Sequence, residues 1–341
     1  MDIKKRENWI DIAKGIGILF VMFGHTIIGK SVTSYTYIFN LPTFIFLSGY
    51  LFNLKKYPNF KEFFNKRAKA ILIPYAGLSI ISIIFYKFYF NMPLNDTTTI
   101  TNMAIMFAKA TRNQIFYNIP LWFLPTLFFI EMSFYWLRKI KWRVIEFALL
   151  FVLSSWFVIT KDTLYNPTLI WTIDTGLFYL LFFALGYYIR QKIVAIKLSK
   201  RVQYILLAIA ILINTLPIYN KNLFDTIFRN TYVIQNGLIY YLSLVLIAFT
   251  GIYVIISLSK WIKHQPLLEF LGKNSLTFFG LHVLIFWILN RIVNIKYFHL
   301  NNQIILSTLY VAFTIFVISF LIPYLKKLFP DVFGKYEKTS N

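Results

Sequence analysis

Three ionisable side chains lie within the first apolar run of the chain, residues 9–28. Asp11 and Lys14 lie near the start of this run and His25 lies near its end. Placing one charged group in hydrocarbon costs about 2.5–3.5 kcal/mol on insertion scales, so such groups are rare unless they have a partner or a function. Asp11, Lys14 and His25 are therefore the first candidates for chemistry.

The spacing of these three residues places them on one face of a helix with about 3.6 residues per turn. Ile18 and Met22 fall on the same face, and a rise of about 1.5 Å per residue separates Lys14 from His25 by roughly 16 Å. A face with a cation near its inner end and an imidazole further in could line a path for a substrate. Alternatively, Asp11 pairs with Lys14, and His25 hydrogen-bonds to a neighbouring helix.

The composition is that of a polytopic membrane protein. Of 341 residues, 58% are hydrophobic and 20% are aromatic, with a mean hydropathy of +0.62, which is too apolar for a soluble domain. Cysteine is absent, which excludes disulfides, thiolate metal ligands and a thiol nucleophile. The four histidines have no close pair at metal-ligand spacing, so we expect no metal site; they are His25, His264, His282 and His299.

About 20 apolar residues are needed to cross the hydrocarbon as a helix. Ten segments meet this requirement, so we predict an all-α bundle of about ten transmembrane spans. The predicted spans are 9–28, 36–54, 68–90, 119–137, 143–160, 168–189, 203–219, 237–258, 275–293 and 303–325. The first span follows a basic flank and has no cleavage site after it, which favours a retained span over a removed signal peptide.

The distribution of lysine and arginine predicts the orientation. Of the 35 such residues, 25 lie at the termini and in alternate connections, and nine lie in the opposite connections. Cytoplasmic loops carry the excess of positive charge, so we expect both termini in the cytoplasm. The net charge of +22 is then explained by orientation in the membrane, without a nucleic-acid partner. Residues 1–330 are predicted to form a single membrane domain and residues 331–341 a short cytoplasmic tail.

The longest outer connection is predicted at residues 91–118. It has a polar start and an apolar stretch at 103–108. A lid or a re-entrant segment is compatible with this pattern, but we favour a solvated loop, since long connections are only sometimes functional.

Five segments, in order along the chain, resemble the bacterial acyltransferase-3 family of integral-membrane O-acyltransferases. The resemblance is strongest to its fucose 4-O-acetylase-like or polysaccharide O-acetyltransferase branch, and it covers residues 9 to about 325. The segments are WIDIAKGIGILFVMFGHT (9–26), FNLPTFIFLSGYLF (39–52), KRAKAILIPY (66–75), PLWFLPTLFF (120–129) and LGKNSLTFFGLHVLIF (271–286).

The resemblance implies roles for four residues. In the family a basic residue, typically arginine, is separated by ten residues from a histidine that is thought to be catalytic; here these positions are Lys14 and His25. Lysine keeps the charge but lacks the planar fork that grips an oxyanion with two hydrogen bonds. Arg67 matches a second basic position and His282 matches the late histidine. Many relatives also carry an extracytoplasmic hydrolase-like domain, which we do not expect here.

Two carboxylates and one tryptophan complete the candidates. Glu131 and Asp174 lie well inside apolar runs, where each could orient an imidazole or bind a sugar hydroxyl, or could be neutral and hydrogen-bonded between helices. Trp122 could bind a saccharide or could be part of the packing and the interfacial belt. Asp11, His25, Glu131 and His282 are therefore the predicted catalytic residues, and Asp174 and Trp122 the predicted substrate-binding residues.

These observations predict an O-acetyltransferase of the bacterial cytoplasmic membrane. Its donor is expected to be cytoplasmic acetyl-CoA, with the phosphates held by Lys14 and Arg67, and no metal is expected. Its acceptor is expected to be a cell-surface saccharide, free or lipid-linked, and its surroundings are membrane lipids. Ten spans and intramembrane charges suit a transporter or flippase of a lipid-linked sugar equally well, so that function is the alternative.

Overall fold

The computed structural model describes residues 7–26, 30–92, 97–161, 167–192, 199–219, 237–293 and 303–335. His299 and the last six residues of the predicted tail lie outside these ranges. The described chain is helical throughout. Its thirteen α-helices are α1 (Asn8–Gly24), α2 (Lys30–Leu51), α3 (Phe60–Tyr89), α4 (Thr97–Lys109), α5 (Phe123–Leu137), α6 (Arg143–Lys161), α7 (Ile173–Lys192), α8 (Lys200–Tyr219), α9 (Gly237–Ile262), α10 (Pro266–Lys273), α11 (Ser275–Val293), α12 (Gln303–Leu328) and α13 (Pro330–Phe333).

Ten of these helices coincide with the ten predicted segments. Among the described residues, six stretches are long and apolar enough to cross a membrane. The count of ten spans and the cytoplasmic termini stay predictions. The six are Phe60–Tyr89, Ile119–Leu137, Ile170–Arg190, Gly237–Ile262, Ser275–Ile292 and Gln303–Leu328.

The predicted solvated loop at 91–118 is wrong in part, because α4 occupies Thr97–Lys109. The helix is held to α3 by the Tyr75 hydroxyl, which donates to the carbonyl of Phe107 at 2.6 Å. The Tyr75 and Phe107 rings also stack with their centroids 5.1 Å apart. The apolar stretch of this connection therefore packs on the bundle.

Helix α1 is central to the bundle, since it packs on α2, α9, α10, α11 and α12. Its contact with α10 is a close approach of two backbones. A Cβ atom added to Gly15 would lie 2.1 Å from the carbonyl oxygen of Leu268, and one added to Gly272 would lie 1.8 Å from that of Asp11. Small residues permit such approaches between membrane helices. The two glycines fix the position of α1.

Helix α10 is anchored by its first turn. The Gln265 side chain caps the helix by accepting from the backbone N–H of Leu268 at 2.5 Å. Glu269 accepts from Nδ1 of His264 at 2.6 Å. Burial alone would raise the pKa of Glu269, but the His264 imidazole, the backbone N–H of Gln265 and the Lys273 ammonium hold that pKa below its ordinary value.

Helices α2 and α7 cross through a second reciprocal glycine contact. A Cβ atom on Gly49 would lie 2.0 Å from the carbonyl oxygen of Phe183, and one on Gly186 would lie 2.0 Å from that of Phe46. Gly49 belongs to the Ser-Gly-Tyr segment of the second predicted span, so this segment is a close-packing step between helices.

We expect Gly186→Ala to destabilise the protein, because the new methyl group would overlap a backbone oxygen that cannot move independently of α2. Overpacking costs about 1–3 kcal/mol, so the midpoint of thermal unfolding in detergent should fall. Gly176→Ala is the matched control, because its new Cβ would lie 3.1 Å from the Thr126 methyl group, which can shift. Equal midpoints for the two variants would contradict the assignment.

Candidate active site

A cavity of about 120 Å³ lies at the end of the bundle where α1 terminates. Its lining combines apolar side chains with His25, Tyr37, Arg112, Asn113 and Trp122. Four helices and one connection therefore supply the side chains around one small space. They are the end of α1, α2, the start of α5, α11, and the connection between α4 and α5, which includes the turn at 119–122.

His25 is positioned by the end of α1. Its backbone N–H donates to the carbonyl of Met22 at 3.1 Å, which closes the last turn of the helix. Its Nε2 is hydrogen-bonded to the hydroxyl of Tyr37 at 2.9 Å. The His25 ring also lies against the ring of His282, with their centroids 5.2 Å apart. The structure thus brings the two predicted catalytic histidines together.

The surroundings of His282 determine which nitrogen of its ring carries the hydrogen. Its Nδ1 lies 2.9 Å from the carbonyl oxygen of Phe278 and 3.0 Å from that of Phe279. A carbonyl oxygen only accepts, so Nδ1 carries the hydrogen and Nε2 keeps its lone pair. The side chain is fully buried, and within the described chain Nε2 has no hydrogen-bond partner. An unsatisfied buried acceptor is costly. His282 is not among the residues that line the cavity, so its described link to that space is the ring of His25.

Glu131 is paired with Arg67, whereas the sequence analysis considered an imidazole or a sugar hydroxyl as its partner. Its two carboxylate oxygens accept from Nε and Nη2 of Arg67, a bidentate pair with Glu131 buried and Arg67 partly exposed. The described hydrogen bonds of Glu131 therefore serve Arg67 and not an imidazole. The pair links α3 to α5.

Asp174 holds the turn that precedes α7. Its carboxylate accepts from the backbone N–H groups of Thr168 at 2.7 Å, Leu169 at 3.1 Å and Thr175 at 2.9 Å. The residue is completely buried. Two of these donors belong to the turn before α7 and the third belongs to its first turn. The described contacts of Asp174 are therefore local, and they join the helix to the turn before it instead of linking two helices.

The predicted path along α1 is filled. Ile18 and Met22 are fully buried in the core, so no open channel follows this face. Because α1 is helical from Asn8 to Gly24, Asp11 lies about 21 Å from His25 along the axis. Neither Lys14 nor Arg67 is among the residues lining the cavity. The structure does not bring Asp11, Lys14 or Arg67 to His25.

Trp122 lies at the cavity, as a substrate-binding residue should. It is 4% exposed, and the guanidinium of Arg112 lies 5.3 Å from the centroid of its ring. Trp122 ends the 3₁₀ turn Ile119–Trp122, which directly precedes α5. Asn118, which precedes this turn, fixes it by donating to the carbonyl of Gly280 on α11 at 2.7 Å.

Tyr37 and Arg112 were missed from the sequence. A tyrosine 12 residues after His25 gives no signal in a chain with 23 tyrosines. Arg112 gives a weak one, since it is among the few cations in the predicted outer connections, where positive charge is scarce. Within the part of the chain that the structure describes, no three histidine, aspartate or glutamate side chains are grouped so as to hold a metal ion.

Comparison with known proteins gives one match. A family model described as an acyltransferase domain matches residues 7–326, which is nearly the whole chain and includes every residue of the cavity. No curated protein matches the chain, and no solved structure does.

We expect Glu131→Ala to lower the midpoint of thermal unfolding, because it leaves the guanidinium of Arg67 without its carboxylate. Removing one partner of a buried pair costs about 3–5 kcal/mol, and the partial exposure of Arg67 reduces this loss through solvent screening. The double variant Arg67→Leu with Glu131→Leu should recover part of the stability. A double variant less stable than Glu131→Ala would show that the pair is not mainly structural.

Proposed function

The chain belongs to the acyltransferase-3 family of membrane acyltransferases, and on this premise we propose that it is an O-acetyltransferase acting on a saccharide. The donor is acetyl-CoA from the cytoplasm, and the acceptor is a hydroxyl of a cell-surface or lipid-linked sugar. Within the family we place the chain in the fucose 4-O-acetylase-like or polysaccharide O-acetyltransferase branch. We place the protein in the bacterial cytoplasmic membrane, with ten spans and both termini in the cytoplasm.

The observation that carries this proposal is the paired imidazoles beside a cavity. Oxygen acyl transfer needs a base that removes the proton of the attacking hydroxyl. His282 offers an unprotonated Nε2 whose tautomer is set by two carbonyls, and His25 lies against it and lines the cavity. Two neutral imidazoles in contact can accept a proton and pass it on.

The two imidazoles can take up and return the proton that the transfer moves. The sugar oxygen attacks the thioester carbonyl carbon, and its proton moves to an imidazole lone pair. The carbon–sulfur bond breaks, the acetyl ester forms, and the leaving thiolate takes the proton from the imidazolium. In the second form of the mechanism, a nitrogen of His25 attacks the thioester carbonyl, the carbon–sulfur bond breaks, and the thiolate leaves with the proton of the imidazole as a thiol. The sugar oxygen then attacks the acetyl-imidazole, the carbon–nitrogen bond breaks, and the hydroxyl proton returns to the imidazole. Both forms use the same residues.

The donor site is proposed at the opposite end of α1. Lys14 lies there, and the exposed cations Lys66 and Lys69 lie near the start of α3, where they suit the phosphates of the coenzyme. The carboxylate of Glu131 already neutralises Arg67, so Arg67 contributes less to this site than the sequence indicates. Because Ile18 and Met22 fill the space between the two ends, the helices around them must separate for the acetyl group to reach His25.

The alternative function is a transporter of a lipid-linked sugar that performs no chemistry. Protein reconstituted in liposomes with radiolabelled acetyl-CoA separates the two functions. Label on the saccharide supports the acetyltransferase. Movement of the saccharide across the bilayer without the coenzyme, and with no label transferred, supports the transporter.

We expect His25→Ala and His282→Ala each to reduce acetyl transfer by roughly 10²–10⁴-fold, the usual contribution of a positioned base. His264→Ala is the matched control, because its side chain is 69% exposed and lies outside the cavity, and the variant keeps the glycine contacts between α1 and α10. It should transfer acetyl at the unchanged rate. Transfer rates that stay normal in both cavity variants, with protein present in the membrane, would reject the catalytic assignment.

We expect Tyr37→Phe to lower kcat by about tenfold, because one hydrogen bond that orients His25 is lost while the ring is kept. The readout is the initial rate at saturating acetyl-CoA. Tyr204→Phe removes the same hydroxyl from a tyrosine that is 63% exposed, so its rate should match that of the wild type. An unchanged kcat in Tyr37→Phe would show that this contact does not position the imidazole.

A further inference from the structure

Arg112 is the cation of the cavity that contains His25. It lines that cavity together with His25 and Tyr37, and it lies close enough to both for their charges to interact. Among the described residues that line this space, there is one arginine and no aspartate or glutamate. The cavity is therefore a positive environment beside the reacting groups.

The Arg112 side chain is held in place by its surroundings. Its guanidinium lies 5.3 Å from the centroid of the Trp122 ring, an arrangement favoured by the attraction of a cation to an aromatic face. Its backbone N–H donates to Oγ1 of Thr172 at 2.8 Å. The Thr111 hydroxyl donates to the carbonyl of Leu169 at 3.2 Å. These contacts join the connection before α5 to the turn before α7.

The backbone on both sides of this junction is strained. Four residues other than glycine have positive φ values: Ala110 at 45°, Asn113 at 66°, Trp171 at 55° and Thr172 at 52°. Such conformations cost on the order of 1–3 kcal/mol each and persist where the surrounding structure enforces them, often at binding sites. Two of the four flank Arg112, and one of the others accepts its backbone hydrogen bond. These conformations therefore lie next to Arg112 and at its backbone partner.

We propose that Arg112 binds an oxyanion of the acceptor, so that the site selects saccharides bearing a carboxylate or a phosphate over neutral ones. This inference rests on the proposed acetyltransferase function. A guanidinium recognises both groups through paired hydrogen bonds. The anion is placed on the acceptor because Arg112 lies at the end of α1 opposite Lys14, where the donor phosphates are proposed to bind.

The test measures acetyl transfer to matched acceptors by protein that is reconstituted in liposomes and supplied with acetyl-CoA. Methyl β-glucuronide and methyl β-glucoside differ only in the carboxylate, and glucose 1-phosphate provides the phosphate arm. We expect kcat/KM to be roughly 10–100-fold higher for the anionic sugar that is recognised than for methyl β-glucoside. This ratio corresponds to the usual contribution of hydrogen bonds to a charged group. Arg112→Gln should remove this preference mainly through KM, and Arg112→Lys should keep part of it.

Lys109→Gln is the matched control, because it removes one positive charge from an exposed residue of the same connection that does not line the cavity. It should keep the preference. Equal kcat/KM for the glucoside and both anionic sugars in the wild type would overturn the inference. A preference for the anionic sugar that is preserved in Arg112→Gln, or a raised KM for acetyl-CoA in that variant, would also overturn it. No consumption of acetyl-CoA with any acceptor would instead reject the proposed function.

Discussion

The close contact of α1 with α10 is the constraint on which the arrangement of the site depends. Two glycines bring backbone against backbone, with Gly15 at the carbonyl of Leu268 and Gly272 at that of Asp11. Helix α10 leads directly into α11, which carries His282. A rigid helix transmits its position along its whole length, so fixing the first turns of α1 also fixes where it ends. The imidazole of His25 therefore meets that of His282 at the far end.

Several described charges that lie away from the cavity are paired with an opposite charge. Arg67 pairs with Glu131, and the fully buried Glu146 accepts from both Arg138 and Arg143. Such pairing is expected where desolvation makes an isolated charge costly. The cavity differs, because the described residues that line it contain a guanidinium and no carboxylate. A guanidinium and an imidazole nitrogen with no described hydrogen-bond partner lie at the same end of α1, and ionisable groups gathered in this way are typical of a functional site.

The sequence predicted the helices better than it predicted their contacts. Apolar length alone located ten helices, because crossing hydrocarbon imposes that length on any sequence. It also proposed His25, Trp122 and His282 as site residues. The structure places His25 and Trp122 at one cavity and His282 against the ring of His25, and their roles stay predictions. Glu131 was assigned no definite partner, since Arg67 lies 64 residues away and packing between helices determines which side chains meet. Tyr37 and Arg112 reach the site through the same long-range packing, which periodicity along one helix cannot show.

The core packed against the middle of α1 separates the two proposed substrate sites. The two proposed substrate sites lie at opposite ends of one helix, and the fully buried Ile18 and Met22 close the space between them. A permanently open channel of this kind would expose the thioester to water. A closed core excludes water from the acetyl group until both substrates are bound. Separation of the helices at Ile18 and Met22 would then be the step that admits the donor, and motions of this kind limit turnover in many enzymes. On the proposed function, packing in the middle of α1 would then influence the rate together with the histidines.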